Sequence, residues 1–208
     1  MSNLIRGHLA ELLKNFSLTP PIDPSVLQTL YDRKDYAAML GWIKNSMRLD
    51  LRVGLRIVDG SDASPPMWIE VPHAMPAYGA AEFRRTRVVV NARRDVLEAK
   101  SFVCVVAGFS HELAHVVLFS ARHRLQHDEK AVDLTAMILG YQAFIGSAEI
   151  TKTEGLIWSV LLAVLLAPTG LLFWRGTSTS TWRLGYLSRD EAAAADEYLA
   201  QWRLLRSV

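Results

Sequence analysis

The chain has 208 residues, which is enough for a single domain with a sizeable core and too few for two large ones. Its net charge is near +2, so the charge balance argues against a nucleic-acid partner. The single cysteine, Cys104, cannot form an internal disulfide or a thiolate zinc site, which favours a reducing compartment. Because the first residues lack the uninterrupted apolar stretch of a secretory signal, we expect a cytoplasmic location.

The N-terminal quarter of the sequence is predicted to be helical. Apolar residues at spacings of three and four predict one amphipathic helix over residues 2–15. The linker 19–24 contains three prolines and ends it. A second helical stretch over 25–48 is compatible with one helix or with two shorter ones.

Residues 51–91 change to the two-residue alternation that is typical of β-strands. Asp59 and Gly60 form a turn signal between the first two runs. We expect three strands of a small twisted sheet, at Leu51–Val58, Met67–Val71 and Arg87–Asn91.

The second half of the chain returns to helical patterns. A nearly continuous helix is predicted from Asp95 to Ser120, and another over 127–145. The last helix, Leu187–Arg206, opens with Ser188 and Glu191 at the spacing of a capping box. These elements together predict an α+β fold.

The pentapeptide His111-Glu112-Leu113-Ala114-His115 lies in the first of these helices. Four-residue spacing puts both imidazoles on one helical face, where they can bind one zinc ion. Glu112 points to the side of that pair, as expected for a base that accepts a proton from a metal-activated water. Apolar residues flank the pentapeptide, and ionisable groups buried among them need a partner such as a metal.

A third protein ligand is expected on the next helix. Glu129 lies 14 residues beyond His115, which leaves room for a loop and a returning helix. Asp133 follows one turn later and is suited to accept a hydrogen bond from a ligand histidine. His123, His127 and Asp128 remain rival ligands, although the two histidines are expected in a solvated loop.

The two halves of this pattern, His111-Glu112-x-x-His115 and Glu129-x-x-x-Asp133, resemble the gluzincin branch of the zincin metallopeptidases. The short gap between them is similar to the compact ImmA/IrrE-type peptidases. The resemblance covers about residues 85–146 and implies that Arg87–Asn91 is the edge strand that pairs with an extended substrate. The metzincin branch is disfavoured because Leu118 and Ala121 stand where it needs a glycine and a third histidine.

Many zincins place a tyrosine or histidine against the oxyanion of the tetrahedral intermediate. The candidates here are Tyr78, Tyr141, Tyr186 and His73. We select Tyr186, because it follows a glycine in the turn just before the capped C-terminal helix.

Residues 156–174 contain no charged side chain, and a run of that length can cross a bilayer as a helix. Trp158 and Trp174 near its ends resemble an aromatic belt. Pro168 and Gly170 interrupt the run, however, so a buried hairpin is equally compatible. An intramembrane protease would need a second aspartate motif, which residues 132–135 match poorly.

The sequence thus predicts a single zincin-like catalytic domain over 1–208, a zinc metallopeptidase in which Glu112 is the general base and Zn²⁺ the cofactor. Its expected partner is a peptide or protein substrate. A regulatory protein partner and membrane contact through 156–174 stay open, as do two alternatives, a zinc-binding sensor without turnover and a membrane-anchored adaptor. The predicted parts are N-terminal helices in 1–50, a catalytic core in 51–146, an apolar insert in 147–185 and a C-terminal helix in 187–206.

Overall fold

The computed structural model of the protein describes residues 2–60, 65–72, 74–146, 149–153, 179–183 and 186–206. Over these residues the fold is α+β, as the sequence predicts. The chain divides into two compact units, one formed by Met1–Ala148 with Leu184–Val208 and the other by Glu149–Arg183.

The first unit begins with three helices, where the sequence predicts helical structure. They are α1 (Asn3–Asn15), α2 (Ser25–Asp32) and α3 (Tyr36–Ser46). Residues 25–48 therefore form two helices rather than one. The apolar face of α1 is buried, and Ser2 caps its N-terminus by accepting a hydrogen bond from the N–H of Ile5.

A three-stranded mixed sheet follows these helices. Its strands are β1 (Arg52–Val58), β2 (Met67–Glu70) and β3 (Arg87–Arg93), and the short helix α4 (Ala81–Arg85) precedes β3. The order is β1-β3-β2, with β1 parallel and β2 antiparallel to β3. The prediction of Arg87–Asn91 as the edge strand is therefore wrong, because β3 is the central strand and β2 is an edge.

The predicted helix from Asp95 to Ser120 is in fact two helices, α5 (Arg94–Ala99) and α6 (Phe102–Ser120). The break falls at Lys100 and Ser101, where Ser101 takes the N-cap position of α6 and accepts a hydrogen bond from Cys104. Most of α6 is buried. Among the described helices, α6 alone is long and apolar enough to cross a membrane, and 72% of its apolar window is buried inside the protein.

Helix α7 (Glu129–Ala136) is shorter than the predicted 127–145, because a π-helical turn, Met137–Tyr141, follows it directly. Gly140 in this turn has a φ of 102°, a left-handed conformation that favours glycine. The predicted capping box is confirmed at the start of α8 (Arg189–Arg206), where Ser188 and Glu191 exchange hydrogen bonds between side chain and backbone.

The second unit contains an antiparallel strand pair, β4 (Glu149–Thr153) and β5 (Thr179–Arg183), which the sequence did not predict. It lies within the predicted apolar insert 147–185. The apolar run 156–174, with its alternatives of a membrane helix and a hairpin, lies outside the described residues.

Candidate metal centre

Three predicted ligands from two helices converge at one point. His111 and His115 lie one turn apart on α6, and Glu129 lies in the first turn of α7. One ligand atom from each of the three falls within 4.8 Å of the other two. The Oε2 atom of Glu129 is 3.3 Å from Nε2 of His111 and 3.4 Å from Nε2 of His115. The three side chains can therefore bind one metal ion together.

Asp133 lies behind this cluster and holds the first histidine in place. Its Oδ1 is 2.8 Å from Nδ1 of His111, so the ring turns Nε2 towards Glu129. Its Oδ2 accepts hydrogen bonds from the backbone N–H groups of Tyr186 and Leu187. Asp133 is fully buried, and each of its oxygens has a partner. This is the arrangement expected of a carboxylate that orients a metal-binding histidine.

Glu112 is buried beside the cluster, only 8% exposed, and is not one of its three ligands. Burial raises the pKa of Glu112 to about 7, with a contribution from the negative charge of Glu129 that the charge of His111 opposes. The backbone N–H of Ile69 in β2 faces the Glu112 carboxylate and favours its charged form. A carboxyl group with this pKa can both accept and release a proton near neutral pH.

The two histidines have opposite electrostatic surroundings. Burial lowers the pKa of His111, but hydrogen bonds to Asp133 and Glu129 outweigh that effect and raise it to about 10. Burial and the nearby charge of His111 lower the pKa of His115 to about 4. The hydrogen bond to His111 lowers the pKa of Glu129. Two carboxylates thus lie beside the imidazoles, and they favour a cation at this position.

The donor set fits a divalent transition metal. Two imidazoles and one carboxylate, with a further coordination position left for water or substrate, are typical of catalytic zinc sites. The same donors also bind other first-row divalent ions, so the identity of the metal is part of the proposal below.

The rival ligands have other contacts. Asp128 is the N-cap of α7 and accepts a hydrogen bond from the N–H of Ala131. His127 is exposed, as expected for a loop residue. The expectation that His123 is solvated is wrong, because it is only 6% exposed and its ring lies 5.8 Å from that of Phe16. None of the three belongs to the cluster.

The oxyanion candidates lie in different places. The ring of Tyr186 stacks on that of His111, with centroids 5.7 Å apart, and the residue is 57% exposed. Tyr141 is in the core and bonds to Ser46, while the hydroxyl of Tyr78 donates to the carbonyl of Arg48. His73 lies outside the described residues. Tyr186 is thus the described candidate that contacts a predicted metal ligand.

Two parts of the site escaped prediction from the sequence. Ile69, whose N–H faces Glu112, gave no signal, because its role depends on β2 packing against α6. The backbone donors of Tyr186 and Leu187 are 53 and 54 residues from Asp133 and have no residue-type signature.

Comparison with protein families, curated proteins and solved structures finds no match to this chain.

Proposed function

We propose that the protein is a zinc-dependent peptidase with a zincin-like, gluzincin-type site. The observation that carries the proposal is the convergence of His111, His115 and Glu129 beside a buried glutamate that does not join them. A purely structural zinc site has no use for that glutamate, whereas hydrolysis needs a base next to the metal.

His111, His115 and Glu129 would hold the ion. When bound, zinc supplies Lewis-acid polarisation of the peptide carbonyl and of the attacking water. Glu112 takes the proton of that water as it attacks the carbonyl carbon, and then delivers it to the nitrogen of the departing amine.

Asp133 and Tyr186 have supporting roles in this proposal. Asp133 fixes the tautomer of His111, so that Nε2 stays available to the metal. Tyr186, stacked on His111 with an exposed side chain, is the proposed donor to the oxyanion of the tetrahedral intermediate.

Strand β2 replaces Arg87–Asn91 as the proposed strand for substrate pairing. The backbone N–H of Arg93 donates a hydrogen bond to the carbonyl of Pro66. In an antiparallel pair every second residue is hydrogen-bonded to the partner strand, so Trp68 and Glu70 are the residues of β2 that bond to β3. The backbone groups of Met67 and Ile69 then face the other edge, with which no described strand pairs. Since the N–H of Ile69 faces Glu112, an extended peptide added to this edge lies next to the catalytic base.

The replacement Glu112→Gln tests this function directly. It keeps the shape of the side chain but removes the base, so zinc content is expected to stay near one ion per chain while hydrolysis falls about 10²- to 10⁴-fold. Zinc is measured by elemental analysis of the purified protein. Hydrolysis is followed by mass spectrometry on a peptide library made by digesting cell protein with chymotrypsin.

The matched control is Glu82→Gln, which changes an exposed glutamate on α4 and is expected to leave both quantities at the parental level. Parental turnover in Glu112→Gln would refute the mechanism. Zinc binding without cleavage of any peptide by the parental protein would instead favour the sensor module.

A further inference from the structure

A pocket of about 490 Å³ lies where the C-terminal end of α6 meets the segment that follows β2. Val71, Met75 and Phe119 give it an apolar lining. Its volume falls in the range of sites that accept a side chain or a small ligand.

The pocket adjoins the candidate metal centre on two sides. The ring of Phe119 lies 6.4 Å from that of His115, centroid to centroid. Val71 directly follows β2 and is two residues from Ile69, whose N–H faces Glu112. A peptide added to the open edge of β2 would therefore pass next to this pocket.

The direction of a peptide relative to β2 decides which of its ends reaches the pocket. A substrate antiparallel to β2 runs opposite to it, so its amino-terminal part lies at the Val71 end. The pocket is consequently expected to receive a side chain from the amino side of the cleaved bond.

The polar lining of the pocket is basic or neutral. It consists of Arg122, Gln126 and His127, and no carboxylate of the described residues lines it. Arg122 is exposed, and its guanidinium has no ion pair within the described part of the chain. Arg124, two residues on, instead pairs with Glu11 at 3.0 Å.

The backbone of Arg122 is in the left-handed conformation, with a φ of 49°. Arg122 donates to the carbonyl of Phe119, and His123 donates to that of Leu118. These two bonds form a Schellman motif, in which the position of Arg122 is usually glycine. Glycine is therefore compatible with the backbone at this position.

We propose that this pocket binds an aspartate or glutamate of the substrate, on the amino side of the cleaved bond, and that Arg122 pairs with its carboxylate. A guanidinium and a carboxylate form charge-assisted hydrogen bonds, while Phe119 and Met75 contact the aliphatic part of the side chain. The proposal rests on the peptidase function above and adds the class of substrate.

The test uses the full-length, zinc-loaded protein and a synthetic peptide library, half of it made with free carboxyl termini and half with terminal amides, so that the Asp and Glu side chains stay intact in both halves. Cleavage sites are expected to be enriched in Asp or Glu on their amino side, in both halves. A synthetic peptide with the preferred site is then compared with its Glu→Gln counterpart. The ratio of the two kcat/KM values is expected to be on the order of tenfold or more, because hydrogen bonds to charged groups are strong.

The informative variant is Arg122→Gly, since glycine suits the left-handed backbone and the fold is expected to remain intact. In Arg122→Gly, the ratio of kcat/KM for the Glu peptide to kcat/KM for the Gln peptide should fall to near one. Arg124→Gln removes the same charge from the same loop and should keep the parental ratio.

Cleavage without acidic enrichment, or a parental ratio in Arg122→Gly, would overturn this proposal and leave the peptidase function standing. Enrichment confined to the half with free carboxyl termini would overturn it in favour of a site for the terminal carboxylate. Absence of any cleavage would overturn the peptidase function and this proposal with it.

Discussion

The two oxygens of the Asp133 carboxylate contact different parts of the chain. One fixes the ring of His111, and the other accepts the backbone N–H groups of Tyr186 and Leu187. The buried charge thus has the partners that its burial requires. The same residue orients a proposed ligand and holds the segment that carries Tyr186 against the cluster.

The replacement Asp133→Asn is expected to weaken zinc binding about 10- to 100-fold, because the uncharged amide holds His111 less firmly. Affinity is measured by competition with a chromophoric chelator at constant pH. Asp196→Asn, on the exposed side of α8, should keep the parental affinity. Equal affinities in the two variants would show that Asp133 does not act through His111.

The burial of His123 is expected to make the stability of the protein depend on pH. Burial lowers the pKa of His123, and Arg124 adds to this effect while Glu11 opposes it. The unfolded chain therefore takes up this proton first, at about pH 6.5, and the native state is destabilised as the pH falls below that value. In His123→Asn the free energy of unfolding should fall less steeply between pH 7 and 5. Urea titrations of both proteins measure the difference, and parallel curves would contradict it.

The residues of the candidate metal centre differ in how directly they could be predicted from the sequence. His111, Glu112 and His115 follow from helical spacing alone, because the geometry of a helix is local. Glu129 and Asp133 were assigned from their spacing beyond His115 and from each other, and the resemblance to the gluzincins agrees with that assignment. Ile69 could not be predicted, because its position beside Glu112 depends on the packing of β2 against α6, two elements that are distant in the sequence.

Among the elements, the π-helical turn after α7 depends on one glycine. A Cβ atom at Gly140 would lie 2.6 Å from the carbonyl oxygen of Pro20, and the positive φ adds strain for any other residue. The turn also accepts backbone hydrogen bonds from Thr19 and Ile22. It therefore attaches the linker between α1 and α2 to the end of the ligand-bearing helix.

Gly140→Ala is expected to lower the free energy of unfolding by about 2 kcal/mol or more, through strain and the clash with Pro20. Gly41→Ala is the control, because that glycine lies inside α3 and a Cβ atom added there would meet no other atom within 4 Å. It should stabilise the protein by about 0.5–1 kcal/mol through helix propensity. Denaturant unfolding measures the free energy of unfolding of both variants. Equal changes in the two would show that Gly140 has no special role in the turn.

The strand order shows where prediction of the elements failed. All three strands of the mixed sheet were located, the first from alternation and the other two from β-rich runs, yet the edge was assigned to the wrong strand. Val88 to Ala92 form a nearly continuous apolar run broken only by Asn91, which is typical of a strand covered on both sides. Pairing order itself is set by contacts between distant segments, so the sequence offers only such indirect signs of it.

For the molecule as a whole, a metal at this centre would join α6 to α7, and through Asp133 the segment before α8. When the concentration of the free ion is 100 times its dissociation constant, an ion that binds only the native state raises the free energy of unfolding by about 2.7 kcal/mol. For a chain of about this size, that raises the Tm by roughly 5–10 °C. Thermal unfolding with zinc and with a chelator measures the difference. His115→Ala should abolish it, and an undiminished shift in that variant would place the ion elsewhere.

The short length of β2 has a consequence for solubility. An unpaired strand edge invites pairing with a second copy of the same chain and so favours aggregation. β2 has four residues, and only Met67 and Ile69 turn their backbone groups outward. Glu70 at its end is charged and paired with Arg56 on β1. Such an edge is long enough to align a short peptide and too short to template a growing fibril.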